Sequence, residues 1–430
     1  MTSTAANDLV GIGFGPANLA LAVALAEHHE AGGRPLSARF LERKSRFGWH
    51  ENTLIDDATM QVSFLKDLAT LRNPASAFSF LVYLKDRGRL VDFVNHKTLF
   101  PTRVEYHDYL EWAADRFADR VEYATEVVDV RPVVQDGAVR WLDVVGRAGS
   151  AVVTRRTRHV VVAPGLVPKL PAGVTVSSRV WHSAELLNRT AELPVDRPLR
   201  FGVVGAGQSA AEVTAYLHRT YPKAEVHAVF SRYGYSPADD TPFANRVFDP
   251  GAVDRYFHAP ASVKEKFFEY HANTNYSVVD IELIEDLYAR VYRESVTGRR
   301  RLHIHHLSTV VDVDAGERGL FAAIRSLADG DIRTVELDHL IYATGYRPAD
   351  PIDILGSSAE LAKRDSQGRL RVERDYRVIT GAHVLCGIYL QGDTEHTHGI
   401  SSLLLSNVAG RADDILASVL RGTDPEGATE

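Results

Sequence analysis

A chain of 430 residues has the length for two or three domains and a large core, and its 45% apolar and 24% charged residues are ordinary for a globular protein. Its formal net charge of −7 argues against nucleic acid or an anionic membrane as partner, because phosphate binding needs a basic surface. The single cysteine, Cys386, excludes an intramolecular disulfide, a CxxC redox pair and a multi-cysteine zinc site, and with no signal peptide or run of about 18 apolar residues the expected location is cytoplasmic.

The first element covers residues 8–19, DLVGIGFGPANL. An apolar run ends at Leu9 and Val10, glycines stand at 11, 13 and 15, and apolar residues at helical spacing begin after Asn18. That order predicts strand, tight turn and helix. Glycines at the turn let the backbone approach a ligand, and the helix aims its free N–H groups at a pyrophosphate, so the expected ligand is a dinucleotide. Pro16 replaces the third glycine of the usual G-x-G-x-x-G fingerprint. A second apparent strand, ARFLERK, ends in Glu42, whose carboxylate suits the hydroxyls of an unphosphorylated ribose, hence FAD or NAD rather than NADP.

The next segment, KSRFGWHENTLIDDATMQVSFLKDLATLRNP, lacks helical or strand periodicity and contains Trp49, His50, Met60, Gln61 and Lys66. Each of these reads equally as an anchor of a long surface connection. Lys66 has two readings: a packed stem whose amine reaches solvent or Asp67, or a cation aimed into a pocket to hold a carboxylate. Residues 78–117 turn helical, three strand-like stretches follow, and Ala163-Pro164-Gly165 closes this part.

A second strand–turn–helix, RFGVVGAGQSAAEVTAYL, places Gly205, Gly207, Gln208 and Ser209 at a nucleotide turn. Its following strand ends in Ser231-Arg232 instead of an acid, and this pair suits a 2′-phosphate, favouring NADPH. Asn245 and Asn275 each read as a binding residue or as a helix cap. His303, His305 and His306 share a strand with no carboxylate or cysteine at ligand spacing, so no metal is expected. LIYATGYRP, with Thr344 and Gly345, is expected to carry the chain back beside a cofactor in the first lobe. The last apolar periodicity predicts a helix whose N-terminus carries Ser401 and Ser402. The architecture expected is α/β, with two Rossmann-like dinucleotide-binding domains and a small, mostly helical substrate region. Its boundaries are 1–165 with 340–430, 195–240 with 275–339, and 241–274.

Taken together, GIGFGPANL, MQVSFLKDLATLRNP, GQSAAE, DDTPFANRVFDP, TNYSVV, ATGY and THGISSLLLSN resemble the N-hydroxylating flavoprotein monooxygenases that act on ornithine or lysine, with the ornithine branch favoured around FLKDL. The resemblance implies FAD on Gly11, Gly13, Pro16 and Glu42, with Trp49, His50 and Gln61 near the isoalloxazine and Met60 at its open face. It implies NADPH on Gly205, Gly207, Ser209 and Arg232. It further implies that Lys66 and Asn245 hold the amino acid's carboxylate, Asn275 meets the side-chain amine and nicotinamide, and Ser401 lies beside that amine. The implied reaction uses NADPH and O2 to convert L-ornithine to N5-hydroxyornithine through a flavin C4a-hydroperoxide, in a homotetramer that supplies siderophore or other nonribosomal peptide synthesis. A lysine or diamine hydroxylase, a Baeyer–Villiger enzyme and a flavin redox sensor are the competing readings.

Overall fold

The computed structural model describes residues 6–274, 276–316 and 319–422. The chain begins with β1 (Asn7–Ile12), α1 (Pro16–Glu30) and β2 (Ala38–Leu41), then makes a helical excursion through α2 (Phe80–Asp86), α3 (Leu90–His96) and α4 (Arg103–Ala114). It returns through β3 (Val121–Glu122), β4 (Thr125–Gln135), β5 (Ala138–Ala148) and β6 (Ala151–Val162), and β7 (Leu166–Pro168) leads outward. A second lobe follows with β8 (Val180–His182), α5 (Leu186–Thr190), β9 (Arg200–Val204), α6 (Gln208–Thr220) and β10 (Glu225–Val229). Helices α7 (Pro250–His258) and α8 (Ala261–His271) interrupt it before α9 (Ile281–Thr297), β11 (Leu302–His305), β12 (Ser308–Gly316), β13 (Gly319–Ser326), β14 (Ile332–Leu337), β15 (His339–Tyr342) and β16 (Tyr346–Pro348). Finally α10 (Pro351–Leu355), β17 (Gly387–Leu390), α11 (Glu395–His398) and α12 (Val408–Gly422) complete the first lobe.

Two sheets organise these elements. In the first, β1 lies between β2 and β6, with Leu9 opposite Ala38 on one side and His159 on the other. The second half of β6 takes β17 in parallel, and its first half takes β5 antiparallel. The second sheet runs β11-β10-β9-β15-β8 and is parallel throughout. This is the expected α/β class with two Rossmann-like lobes, and α7 and α8 supply the helical region between them.

Local sequence explains the main elements. Pro16 occupies the first turn of α1, where its fixed φ suits the helix and its missing N–H costs nothing. Residues 18–25 of α1 are buried without a polar face, because the helix lies between the first sheet and the packed helices α4 and α12. Thr102 caps α4 by accepting the Glu105 N–H at 3.2 Å, the forward half of a T-x-x-E capping box.

Four expectations change. Gly11 belongs to β1, not to the turn: a Cβ there would lie 2.3 Å from the Phe40 ring, so this glycine serves strand packing. The boundary expected at 340 falls inside the second sheet, because β15 pairs with both β9 and β8. Ser401 and Ser402 sit in a 3-10 turn, Ile400–Leu403, and the helix starts only at Val408, since Leu404 is extended (φ −98°, ψ 156°) and breaks the periodic run. A carboxylate does accompany the histidines: Glu225 on β10 stands beside His303 on β11, brought there by strand pairing rather than by sequence spacing.

Candidate active site

Both lobes build the same turn, at the C-terminal ends of β1 and β9. Gly13 has φ +81°, and a Cβ would lie 2.5 Å from the Ala163 carbonyl oxygen. Gly205 has φ +144°, and its Cβ would lie 2.3 Å from the Ala343 carbonyl oxygen. Any side chain at either position would be both strained and obstructed. Gly15 and Gly207 then stand at the N-caps of α1 and α6, neither end capped by a side chain, leaving N–H groups for an anion.

In the first lobe Glu42 is buried, with Oε2 accepting the Phe14 N–H at 2.7 Å and Oε1 the Lys44 N–H at 2.9 Å. These bonds hold the carboxylate at the strand end while each oxygen keeps a further lone pair for a hydroxyl. Asn18 donates to the Gly13 carbonyl at 2.7 Å and accepts from Gln391 Nε2 at 3.0 Å, tying the loop after β17 to the nucleotide turn. Arg411, 4% exposed, reaches Gln391 Oε1 at 3.3 Å and the Ser402 carbonyl at 2.6 Å, and among the described residues no carboxylate comes within ion-pair distance of it. Among the described residues, the hydroxyls of Thr394, Ser402 and Ser406 and both amide atoms of Asn407 are buried without hydrogen-bond partners. So many orphaned groups are costly unless a bound molecule with its own donors and acceptors completes them, and a flavin edge has that chemistry.

In the second lobe Arg232 is exposed and its Nη1 donates to the Ser277 carbonyl at 2.7 Å. Ser277 packs against Gly207, whose Cβ would lie 3.3 Å from the Ser277 Cα, so the guanidinium is held beside the opening of α6, where Ser209 lies in the first turn. Thr344 and Gly345 instead secure the connector: Thr344 Oγ1 donates to the Lys169 carbonyl at 2.5 Å, and the Gly345 oxygen accepts the Lys169 N–H at 3.0 Å and meets His182 Nε2 at 2.9 Å.

Between the lobes, Lys66 is half-buried with its Nζ 5.7 Å from the Phe248 ring centroid. Burial pushes its amine below the ordinary lysine range, opposed by the charge of Asp249. Asp67 does not pair with it, being consumed by the N–H groups of Ala69, Thr70 and Phe80 and by the Thr70 hydroxyl. Phe248 belongs to the 3-10 turn Ala244–Phe248, which also carries Asn245, whose Nδ2 donates to the Asp240 carbonyl at 2.5 Å. That turn packs through Val247 and Phe248 on Ile400, adjacent to the buried Ser401. Lys66 therefore lies over the apolar cluster to which the chain neighbours of Asn245 and Ser401 belong. Asn275 lies outside the described residues; Tyr276, its neighbour in sequence, donates to Glu395 of α11.

Met60 is buried in the main apolar cluster, Trp49 packs edge-on to His50 and against Tyr106, and His50 itself is exposed with φ +53°. Gln61 reaches across to the second lobe, where its Nε2 donates to Asp280 Oδ2 at 2.6 Å.

Residues 5–348 match the family described as L-lysine 6-monooxygenase/L-ornithine 5-monooxygenase. The chain belongs to this family. The L-ornithine N(5)-monooxygenase of Pseudomonas aeruginosa is 37% identical over 431 residues, covering 99% of this chain and 96% of that protein. The Burkholderia cepacia L-ornithine N(5)-monooxygenase is 41% identical over 404 residues, covering 91% and 89%. Among solved structures, the Kutzneria sp. 744 ornithine N-hydroxylase with reduced FAD, NADP+ and L-ornithine matches with a TM-score of 0.94 at 47% identity, covering 98% of this chain and all of that one. The L-lysine 6-monooxygenase from Pseudomonas syringae matches at 0.85 with 30% identity, covering 97% of this chain and 100% of that one.

In this member of the lysine/ornithine monooxygenase family, sequence reasoning missed the polar bridge between the lobes. Asp280 accepts from Gln61 and from Gln208 Nε2 at 3.1 Å, Gln208 also donates to Glu212 at 2.9 Å, and Arg103 grips Glu212 with two bonds of 2.8 and 2.7 Å. Gln61 and Arg103 thus make the crossing bonds, and Gln208 holds their two acceptors, Asp280 and Glu212, together at the nucleotide turn. The one signal in the sequence was a glutamate on the otherwise buried face of α6.

Proposed function

We propose that the protein is an L-ornithine N5-monooxygenase using FAD, NADPH and O2. The observation that carries this reading is the Lys66 ammonium, unmatched by any carboxylate within ion-pair distance among the described residues and set over Phe248 beside Asn245 and Ser401. A small amino acid would place its carboxylate on this cation. The greater identity to the ornithine enzyme, 47% against 30% for the lysine enzyme, supports the shorter substrate.

The first lobe, through residues 13–18, Glu42 and the unpartnered groups of 394–407, is the proposed FAD site, and the second, through Gly205, Gly207, Gln208, Ser209 and Arg232, the proposed NADPH site. FAD supplies the activation of O2 when bound; the protein supplies position and a dry enclosure. The substrate amine must lose a proton before it reacts, and an alkyl amine titrates near 10.4 in water. Amide and hydroxyl partners, the role proposed here for Asn275 and Ser401, favour the neutral form where a carboxylate would favour the cation. Among the described residues no helix is long and apolar enough to cross a membrane, in keeping with a cytoplasmic enzyme. The proposed assembly is a homotetramer, and the proposed fate of the hydroxylated product is a siderophore or another nonribosomal peptide.

The test is hydroxylamine formation with ornithine, lysine, putrescine and cadaverine. Ornithine should turn over with the highest kcat/KM, and a diamine that matched it would remove the role assigned to Lys66. Size-exclusion chromatography with light scattering tests the tetramer.

A further inference from the structure

The second sheet carries a cluster that the oxygenation chemistry does not use. Glu225 and His227 are two residues apart on β10, and His303 and His305 two apart on β11, so the parallel register, with His227 opposite His303, puts all four on one face. On the other face Val226, Leu302 and Ile304 pack under α6 and α9. A carboxylate oxygen of Glu225 lies 3.7 Å from His227 Nε2 and 3.9 Å from His303 Nε2, and the three ligand atoms fall within 4.8 Å of one another. Both Nε2 atoms are buried without a hydrogen-bond partner among the described residues.

We propose that Glu225, His227 and His303 form a site for a divalent transition metal ion of borderline softness, such as Zn2+, Ni2+ or Co2+. Two imidazoles and one carboxylate are the donor set such ions prefer, with water in the remaining position. His305 orients the site: its Nε2 is 3.0 Å from His227 Nδ1, so a proton held on Nδ1 leaves the lone pair of His227 on Nε2, facing Glu225. The rings of His227 and His303 stack 4.5 Å apart at 10°, and binding turns each about its Cβ–Cγ bond toward a common point, which the adjacent strands leave within reach. The nearest cation on β9, Arg200, is engaged by Glu336 at 2.6 Å. Glu225 and His227 lie at the opening end of β10, whereas Arg232 follows its other end, so the ion would clamp β10 to β11 without entering the nucleotide site.

The test uses the untagged, EDTA-stripped holoenzyme, titrated with ZnCl2 by calorimetry and with CoCl2 by visible absorption. One ion per chain is expected, with tetrahedral cobalt bands and a raised melting temperature in zinc. His303→Ala should abolish binding and Glu225→Gln should weaken it, with flavin content unchanged, while His305→Ala should weaken it about 10–100-fold. His306→Ala, at an exposed neighbour, should bind as the parent does. Absence of binding at millimolar metal, or binding that survives His303→Ala, overturns the proposal. Because His227 is the most buried of the three, the test rests on His303 and Glu225, whose removal leaves the apolar core intact.

Discussion

Arg103→Met is the most informative perturbation of the lobe interface. The wild-type pair is two-pronged, and the side chains of Arg103 and Glu212 are only 13% and 8% exposed, so the range for buried pairs applies rather than the 0–1 kcal/mol of surface pairs. Removing the guanidinium leaves a carboxylate that burial already pushes toward the neutral form, with Gln208 as its one remaining side-chain donor among the described residues. Losing one partner of such a pair costs about 3–5 kcal/mol, and the surviving Gln208 bond places the expected loss near the lower figure, about 3 kcal/mol. For a lobe of this size that lowers the thermal midpoint by roughly 6–12 °C. Arg103→Met/Glu212→Leu should recover most of it, because the unpaired charge goes with its partner. The assay is thermal denaturation read by tryptophan and flavin fluorescence, alongside NADPH oxidation. Both variants should oxidise NADPH more slowly than the parent, since the double variant regains stability but not the polar bridge. A single variant within about 1 kcal/mol of the parent would refute the claim that this pair is buried and structural.

Other outcomes follow from single side chains. Lys66→Ala should raise the KM for ornithine about tenfold to a hundredfold, the effect of losing a charge-assisted bond worth about 1.5–3 kcal/mol, while amine-independent NADPH oxidation persists; saturation at the parental concentration would exclude the carboxylate contact. Since the Lys66 amine is held below the ordinary lysine range, kcat/KM for ornithine should fall as alkaline pH deprotonates it, and putrescine, with no carboxylate, should lack that limb. Arg232→Ala should raise the KM for NADPH and leave that for NADH nearly unchanged in steady-state assays. Burial and the nearby Asp350 push the Asp393 carboxyl up to about 6. The folded state therefore binds more protons than the unfolded one between about pH 4 and 6, and stability falls as pH rises through that window. Asp393→Asn, which tolerates the residue's φ of +54°, should raise the melting temperature at pH 8 and leave it unchanged at pH 4.

The nucleotide turns were legible because their signals are local: a buried run, glycines at fixed offsets and the onset of a 3.6-residue period within twenty residues. The start of α12 was not. The run from Ile400 to Val408 satisfies helical periodicity, and what holds it in 3-10 turns is tertiary, with Ile400 packed on Val247 and Phe248 and the Ser402 carbonyl taken by Arg411. The same limit hid the pairing of Arg103 with Glu212, 109 residues apart, and of Glu225 with His303, which only the β10–β11 register brings together. Of the proposed substrate pocket, Lys66 was visible as a cation flanked by apolar residues, whereas Asn245 read equally as a helix cap and was singled out only by the family resemblance. Phe248 was not, because an aromatic side chain beside a cation looks like any other core residue until the two meet.

The displaced boundary at 340 has a cause that the sequence does contain. Gly13 presses on the carbonyl of Ala163, which opens an Ala-Pro-Gly turn whose Gly165 has φ +72°; Gly205 presses on the carbonyl of Ala343, which opens an Ala-Thr-Gly turn whose Gly345 has φ +80°. Each close approach forces a glycine on one strand end and a sharp exit on the neighbouring one, so the two features must occur as a pair within one lobe. Counting each A-x-G turn as the second half of its nucleotide motif assigns residues 343–345 to the lobe that begins at β8. The crossing back then falls at β16, which pairs antiparallel with β7 and so places the outward and return connections side by side. A glycine-rich turn in a two-nucleotide protein is therefore better read together with the small-residue turn it packs against, since the steric demand that selects the first also fixes which sheet holds the second.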